Sequence, residues 1–138
     1  MAAFELKGGC QCGTVRYVVS QPARALSHCH CSMCRKLHGA IYVTFSEVPR
    51  AGFRIERGAD NLADYQSSPG NHRHFCRTCG CQLYTEIDST PDAIFYATGT
   101  LDGGAHPGHP KSREQHIFVG SKVPWFKIAD DLPQKDEY

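Results

Sequence analysis

The chain has 138 residues, 41% of them hydrophobic and 21% charged, with a formal net charge of +1. That suits one globular domain spanning residues 1–138, long enough to bury a modest core. The near-neutral charge gives no reason to expect a nucleic acid or an anionic membrane as partner, and no run of about 18 apolar residues offers a transmembrane helix.

Met1 to Gly9 carries Glu5 and Lys7 and lacks a long apolar stretch, so it does not read as a signal peptide. Short runs rich in β-branched and aromatic residues then follow. Val15 to Val19, Ile41 to Phe45, Phe53 to Arg57, Gln82 to Ile87, Ala93 to Thr98 and His116 to Val119 are expected to be strands. Turn signals fall at Gly8-Gly9, at Pro49 to Gly52, at Ser68-Pro69-Gly70-Asn71 and at Asp102-Gly103-Gly104. One short helix is expected, capped by Ser32, running from Met33 to His38 and stopped by Gly39. Leu101 to Ser112 is polar and reads as a surface loop; Ala129 to Tyr138 is charged and reads as a frayed tail. Neither a repeat nor a linker divides the chain, and the pattern is all-β.

Eight cysteines stand out, arranged as Cys10-Gln-Cys12-Gly13, Cys29-His-Cys31-Ser-Met-Cys34 and Cys76-Arg-Thr-Cys79-Gly80-Cys81. A chain without a signal peptide is expected in a reducing compartment, the cytoplasm, where such cysteines serve metals more often than disulfides. Bridges between cysteines one or two residues apart are also strained, whereas zinc accepts that spacing. In the first and third clusters a close pair is followed directly by glycine, which permits a positive-φ turn with N–H groups aimed at sulfur. Cys10, Cys12, Cys76 and Cys79 are therefore expected to close one structural zinc site. Free or disulfide-bonded cysteine is the alternative.

Cys29, Cys31 and Cys34 supply only three thiolates, which leaves one position of a tetrahedral zinc open, the mark of a reactive site. Cys34 falls in the first turn of the expected helix, where an anionic sulfur is favoured. An incoming thiol would bind there as thiolate and become a nucleophile at neutral pH. Two alternatives stay open: closure by His30, His38 or Cys81, and an iron–sulfur cluster. With both zinc sites filled the formal charge falls to about −2. Cys81 reads as a packed residue at a strand start or as a redox-sensitive thiol. Most histidines read as supporting or surface residues, and His38 is a candidate to move a proton near the open position.

These residues resemble a known family. Gly9-Cys10-Gln-Cys12-Gly13, His28-Cys29-His30-Cys31-Ser32-Met33-Cys34-Arg35-Lys36, Phe75-Cys76-Arg-Thr-Cys79-Gly80, and His116-Ile-Phe-Val119 running to Pro124-Trp125-Phe126 are similar to the glutathione-dependent formaldehyde-activating enzyme family, which includes centromere protein V. The resemblance covers about residues 5 to 126. It implies small antiparallel sheets in the Mss4-like or β-tent fold. It implies a structural zinc on Cys10, Cys12, Cys76 and Cys79, and a catalytic zinc on Cys29, Cys31 and Cys34. The implied activity is that of a carbon–sulfur lyase, joining formaldehyde and glutathione into S-hydroxymethylglutathione. Glutathione carries carboxylates, so Arg35, Lys36, Arg73 and Arg77, beside the cysteine clusters, are candidates to meet them. The competing expectation is a non-catalytic, zinc-stabilised binding module; the acidic tail from Asp130 to Tyr138 gives it no basic surface. An iron–sulfur or redox-sensing protein is a third expectation. Oligomeric state is not legible in the sequence.

Overall fold

A computed structural model describes residues 3–138; Met1 and Ala2, which open the N-terminal segment read above, lie outside it. The strands are β1 (Leu6–Gly9), β2 (Arg16–Val19), β3 (Ala25–Cys29), β4 (Val43–Pro49), β5 (Phe53–Arg57), β6 (Leu62–Ser68), β7 (Asn71–Cys76), β8 (Gln82–Ile87), β9 (Ala93–Ala97) and β10 (Glu114–Ile117). The helix α1 spans Ser32–His38. Two sheets result: a three-stranded one in the order β1-β2-β5 and a seven-stranded one in the order β10-β3-β4-β9-β8-β7-β6. All pairings are antiparallel except β10 with β3, which is parallel. That pairing closes across a long connection from β9, which lets the chain return to the same edge in either direction. No helix among the described residues is long and apolar enough to cross a membrane.

The large sheet is buried on both faces at its centre, and the two-residue period of a strand sorts its side chains. Ile94, Tyr96 and Val48 face the small sheet and pack with Val15, Tyr17, Val19, Leu83 and Leu101. Ala93, Phe95, Val43 and Phe45 face the other way and pack with Cys29, Cys34 and Ile117. All five residues of β9 are buried, so its sequence is a continuous apolar run rather than an alternation. Phe53 stacks on Tyr17 with ring centres 4.9 Å apart and extends the aromatic layer to Tyr84 and Tyr96.

Several expectations are corrected. Gly8 and Gly9 do not turn; they pair in β1 with Tyr17 and Arg16. Glycine is required at position 8 because a Cβ there would lie 2.5 Å from the Tyr17 ring and 2.6 Å from the Thr100 carbonyl. The turn comes later, over Cys10 to Val15, with Gly13 at φ 81°. Strands β1, β3, β6 and β7 escaped the reading because they are short, glycine-bearing or dominated by polar residues such as His72, Arg73 and His74. The segment after Leu101 is not wholly superficial, since Leu101, Pro107 and His109 are buried.

The tail is not frayed. The free edge of β10 offers unpaired backbone groups, and the tail meets them. His116 N–H donates to Pro133 O, Lys135 N–H to His116 O, and Phe118 N–H to Glu137 O, each at 2.9 Å. The charged side chains stay in solvent while the backbone pairs, so charge alone did not foretell disorder. This path delivers Tyr138 to the wall of the cavity described below.

Gly8→Ala is expected to destabilise the protein by about 1–3 kcal/mol through overpacking against Tyr17. Gly99→Ala, where a Cβ meets nothing within 4 Å, should stay within about 0.5 kcal/mol of wild type. Urea midpoints of the two variants test the pair.

Candidate metal centres

The first centre is built by two hairpin loops. The β1–β2 loop holds Cys10 and Cys12, and the β7–β8 loop holds Cys76 and Cys79. Both loops use the glycine after the second cysteine in the left-handed region, Gly13 at φ 81° and Gly80 at φ 79°. Within each loop the glycine N–H closes the turn, Gly13 onto Cys10 O and Gly80 onto Cys76 O. The four sulfurs lie within 4.8 Å of one another. Cys12 Sγ is 3.6 Å from Cys10 Sγ and 3.8 Å from Cys76 Sγ. An ion bonded tetrahedrally to sulfur at about 2.3 Å separates its ligands by about 3.8 Å, so this donor set fits one. Val15 N–H donates to Cys10 Sγ and the Asn61 amide to Cys76 Sγ, each at 3.3 Å. In the metal-free chain the Cys12 thiol is drawn down to about 6 by its side-chain and backbone hydrogen bonds with Thr14, while burial pushes Cys10 up to about 11.

The second centre lies on the opposite face of the large sheet. Cys29 ends β3, Cys31 precedes α1, and Cys34 sits in its first turn; their sulfurs also lie within 4.8 Å of one another. The helix cap is Cys31 rather than Ser32. The Cys34 N–H donates to Cys31 Sγ at 3.3 Å, and Ser32 becomes the first helical residue. A thiolate is the better acceptor for that free N–H. Gly39 stops the helix in the left-handed region, as expected. Without a metal, hydrogen bonding to Cys31 and Cys34 and then burial raise the Cys29 thiol, while Cys29 and Cys34 draw Cys31 far down. Three sulfurs so close cannot all be anionic alone, so a cation would have to join them for all to ionise. No fourth histidine, cysteine or carboxylate of the described residues joins this trio.

Arg73 of β7 is the residue that distinguishes the second centre. It is 7% exposed, donates from Nη1 to Cys34 Sγ at 3.4 Å and from Nε to Ser67 Oγ at 3.0 Å. Among the described residues no carboxylate pairs with it. A buried guanidinium without an anion is costly, and sulfurs of the cluster, once ionised, would supply its counter-charge. Of the four expected cations, the structure brings only Arg73 here. Arg35 bonds Ser121 O, Arg77 bonds Leu62 O, and Lys36 is exposed. A cavity of ≈ 160 Å³ opens beside the cluster, walled by Arg73, Phe45, Phe95 and Ile117.

The remaining candidates fall elsewhere. His38 packs edge-on against Phe45 and does not line the cavity; burial and then Arg73 draw it down to about 4, which keeps it neutral. Cys81 is half-buried against the core near the first centre, and burial raises its thiol. His30, between two of the cysteines, is fully buried and turns into a histidine network. Its Nε2 lies 2.9 Å from His116 Nδ1, and His116 Nε2 lies 3.0 Å from the Asp130 carboxylate. The carboxylate accepts from His116 Nε2–H, so in the neutral imidazole His116 Nδ1 accepts from His30 Nε2–H. Sequence reasoning missed this network, and it missed Asn61 and the apolar cavity walls. The signals present were those of the quoted motifs, which hold His30, His116, Ile117 and Phe118.

Comparisons with known proteins agree with one another. The family model described as glutathione-dependent formaldehyde-activating enzyme matches residues 5–121. A Halomonas elongata protein that carries the same family description is 30% identical over 131 residues, covering 89% of this chain and 80% of its own. A Fusarium vanettenii protein so described is 35% identical over 60 residues, which is 44% of this chain and 32% of that one. The crystal structure of a Rhodobacter sphaeroides protein superposes with a TM-score of 0.62 at 30% identity, covering 71% of this chain and 89% of that one.

Arg73→Gln should move the pH midpoint of thiol reactivity at the metal-free second cluster upward by about one unit or more. Removing a cation disfavours the thiolate, so the sign is fixed. Reaction with an aromatic disulfide across pH, with circular dichroism to verify folding, measures it; an unmoved midpoint would show that Arg73 does not act on the cluster.

Proposed function

Because this chain belongs to the glutathione-dependent formaldehyde-activating enzyme family, we propose that it is a zinc-dependent carbon–sulfur lyase that makes or breaks the bond between a thiol and an aldehyde carbon. Formaldehyde and glutathione are the first pair to test. The observation that carries this reading is the three-thiolate cluster set against a cavity, with a buried arginine and no fourth protein donor among the described residues. Cys10, Cys12, Cys76 and Cys79 would hold a structural zinc, and Cys29, Cys31 and Cys34 a catalytic one. Thiolate ligands of this kind would suit a reducing compartment such as the cytoplasm.

Zinc on the second cluster would supply the charge that keeps a substrate thiol deprotonated at neutral pH. The chain's own residues do the rest. Three thiolates around a divalent ion carry one net negative charge, and Arg73 neutralises it. A further thiolate would then bring the site to one net negative charge rather than two. Phe45, Phe95 and Ile117 exclude bulk water from the cavity, which strengthens the Arg73 interaction and protects the adduct. The reaction needs no oxidant. A carbon–sulfur bond forms, the carbonyl π pair moves to oxygen, and the proton given up by the thiol ends there. The hydroxyls of Ser27, Ser68 and Thr85 line the cavity and can relay that proton.

Elemental analysis should find two zincs per chain, one readily lost to a mild chelator. Cys34→Ser should lose that zinc and at least a hundredfold of any acceleration of adduct formation, followed by NMR, yet stay folded. Cys79→Ser should lose the other zinc and most of its folding stability. Two equally inert zincs, with no acceleration, would move the assignment to a binding module.

A further inference from the structure

The cavity beside Cys29, Cys31 and Cys34 is small and apolar. At ≈ 160 Å³ its volume is close to that of the roughly 150 Å³ apolar cavity that admits benzene, and it opens to solvent beside the exposed Met33 and Tyr138. Pockets that bury larger ligands run to roughly 300–1,000 Å³. Its walls include Phe45, Ile87, Phe95, Ile117 and Phe118, and three of these, Phe45, Phe95 and Ile117, are at most 9% exposed. Among the described residues Arg73 is its one cationic side chain. That guanidinium already serves Cys34 and Ser67.

A peptide thiol such as glutathione carries two carboxylates and an ammonium. Among the described residues the lining offers no carboxylate side chain for the ammonium and one engaged cation for both carboxylates. Burying those charges unpaired is costly, so only the thiol end of such a molecule can enter. A thiol whose carbon skeleton is compact and apolar can instead fill the cavity and leave water behind.

We infer that the preferred thiol of this site is a small one bearing an uncharged, apolar group no larger than a benzene ring, rather than a charged peptide thiol. The inference rests on the lyase reading of the second cluster. The chemistry is unchanged: the sulfur of the small thiol bonds to the aldehyde carbon and its proton passes to the carbonyl oxygen.

The test is binding, read without turnover. Protein loaded with two cobalt(II) ions is titrated at neutral pH with phenylmethanethiol, 2-mercaptoethanol and glutathione, following the sulfur-to-cobalt charge-transfer absorption. Phenylmethanethiol should half-saturate at a concentration at least tenfold lower than glutathione. Ile87→Phe, which fills the cavity, should erase that preference while 2-mercaptoethanol still binds. Glutathione binding as tightly as phenylmethanethiol, or an Ile87→Phe protein that keeps the preference, overturns the inference while leaving the open position standing. No spectral response to any of the thiols overturns the lyase reading and the inference together.

Discussion

Four sulfurs from two hairpin loops, one in each sheet, converge within 4.8 Å, and an ion bound there would tie the two sheets together. The β1–β2 loop belongs to the small sheet and the β7–β8 loop to the large one. Once the loops meet, Tyr17, Val19, Ile94 and Tyr96 are held face to face. The apolar contact between the sheets is non-directional; an ion held by the four sulfurs would give it a fixed register. A chain of this size buries only about two-thirds of its surface, so a metal-ion tether at that corner would add to a modest core.

The two clusters use the same chemistry under opposite conditions. In the first, Cys12 and Cys79 are exposed, and water can screen the two negative charges that four thiolates would leave around a divalent ion. In the second, Cys29 and Cys34 are buried and screening is weak. There the chain spends a buried arginine, and the charge that three thiolates would leave matches it. Burial, donor number and countercharge thus vary together. On the proposed reading, a closed site would tolerate exposure because nothing reacts there, whereas a site for an incoming thiol would need a dry wall and a cation.

The histidines form a separate layer. His30 faces away from the sulfurs on either side of it and joins His116 and Asp130. Asp130 belongs to the tail that pairs with β10, and the same tail brings Tyr138 to the cavity. One wall of the site is therefore assembled from the last residues of the sequence.

The shape of each cysteine cluster was legible in the sequence because it rests on local spacing, and the pairing of the first with the third rested on their shared ending in glycine. A close pair followed by glycine encodes its own positive-φ turn, and three cysteines within six residues reach one point whatever surrounds them. Strands with strong β-branched or aromatic runs, such as Phe53–Arg57 and Gln82–Ile87, were legible for the same reason. Tertiary structure alone decided the rest. Gly8 pairs in a strand because Tyr17, nine residues on, occupies the space of its missing Cβ. Arg73 looked like one surface cation among four until β7 placed it against Cys34. The cavity walls come from β4, β8, β9 and β10, and a period of two says which residues share a face but not what that face will meet. Local sequence sets the donors; long-range pairing sets their countercharge and the shape of the space beside them.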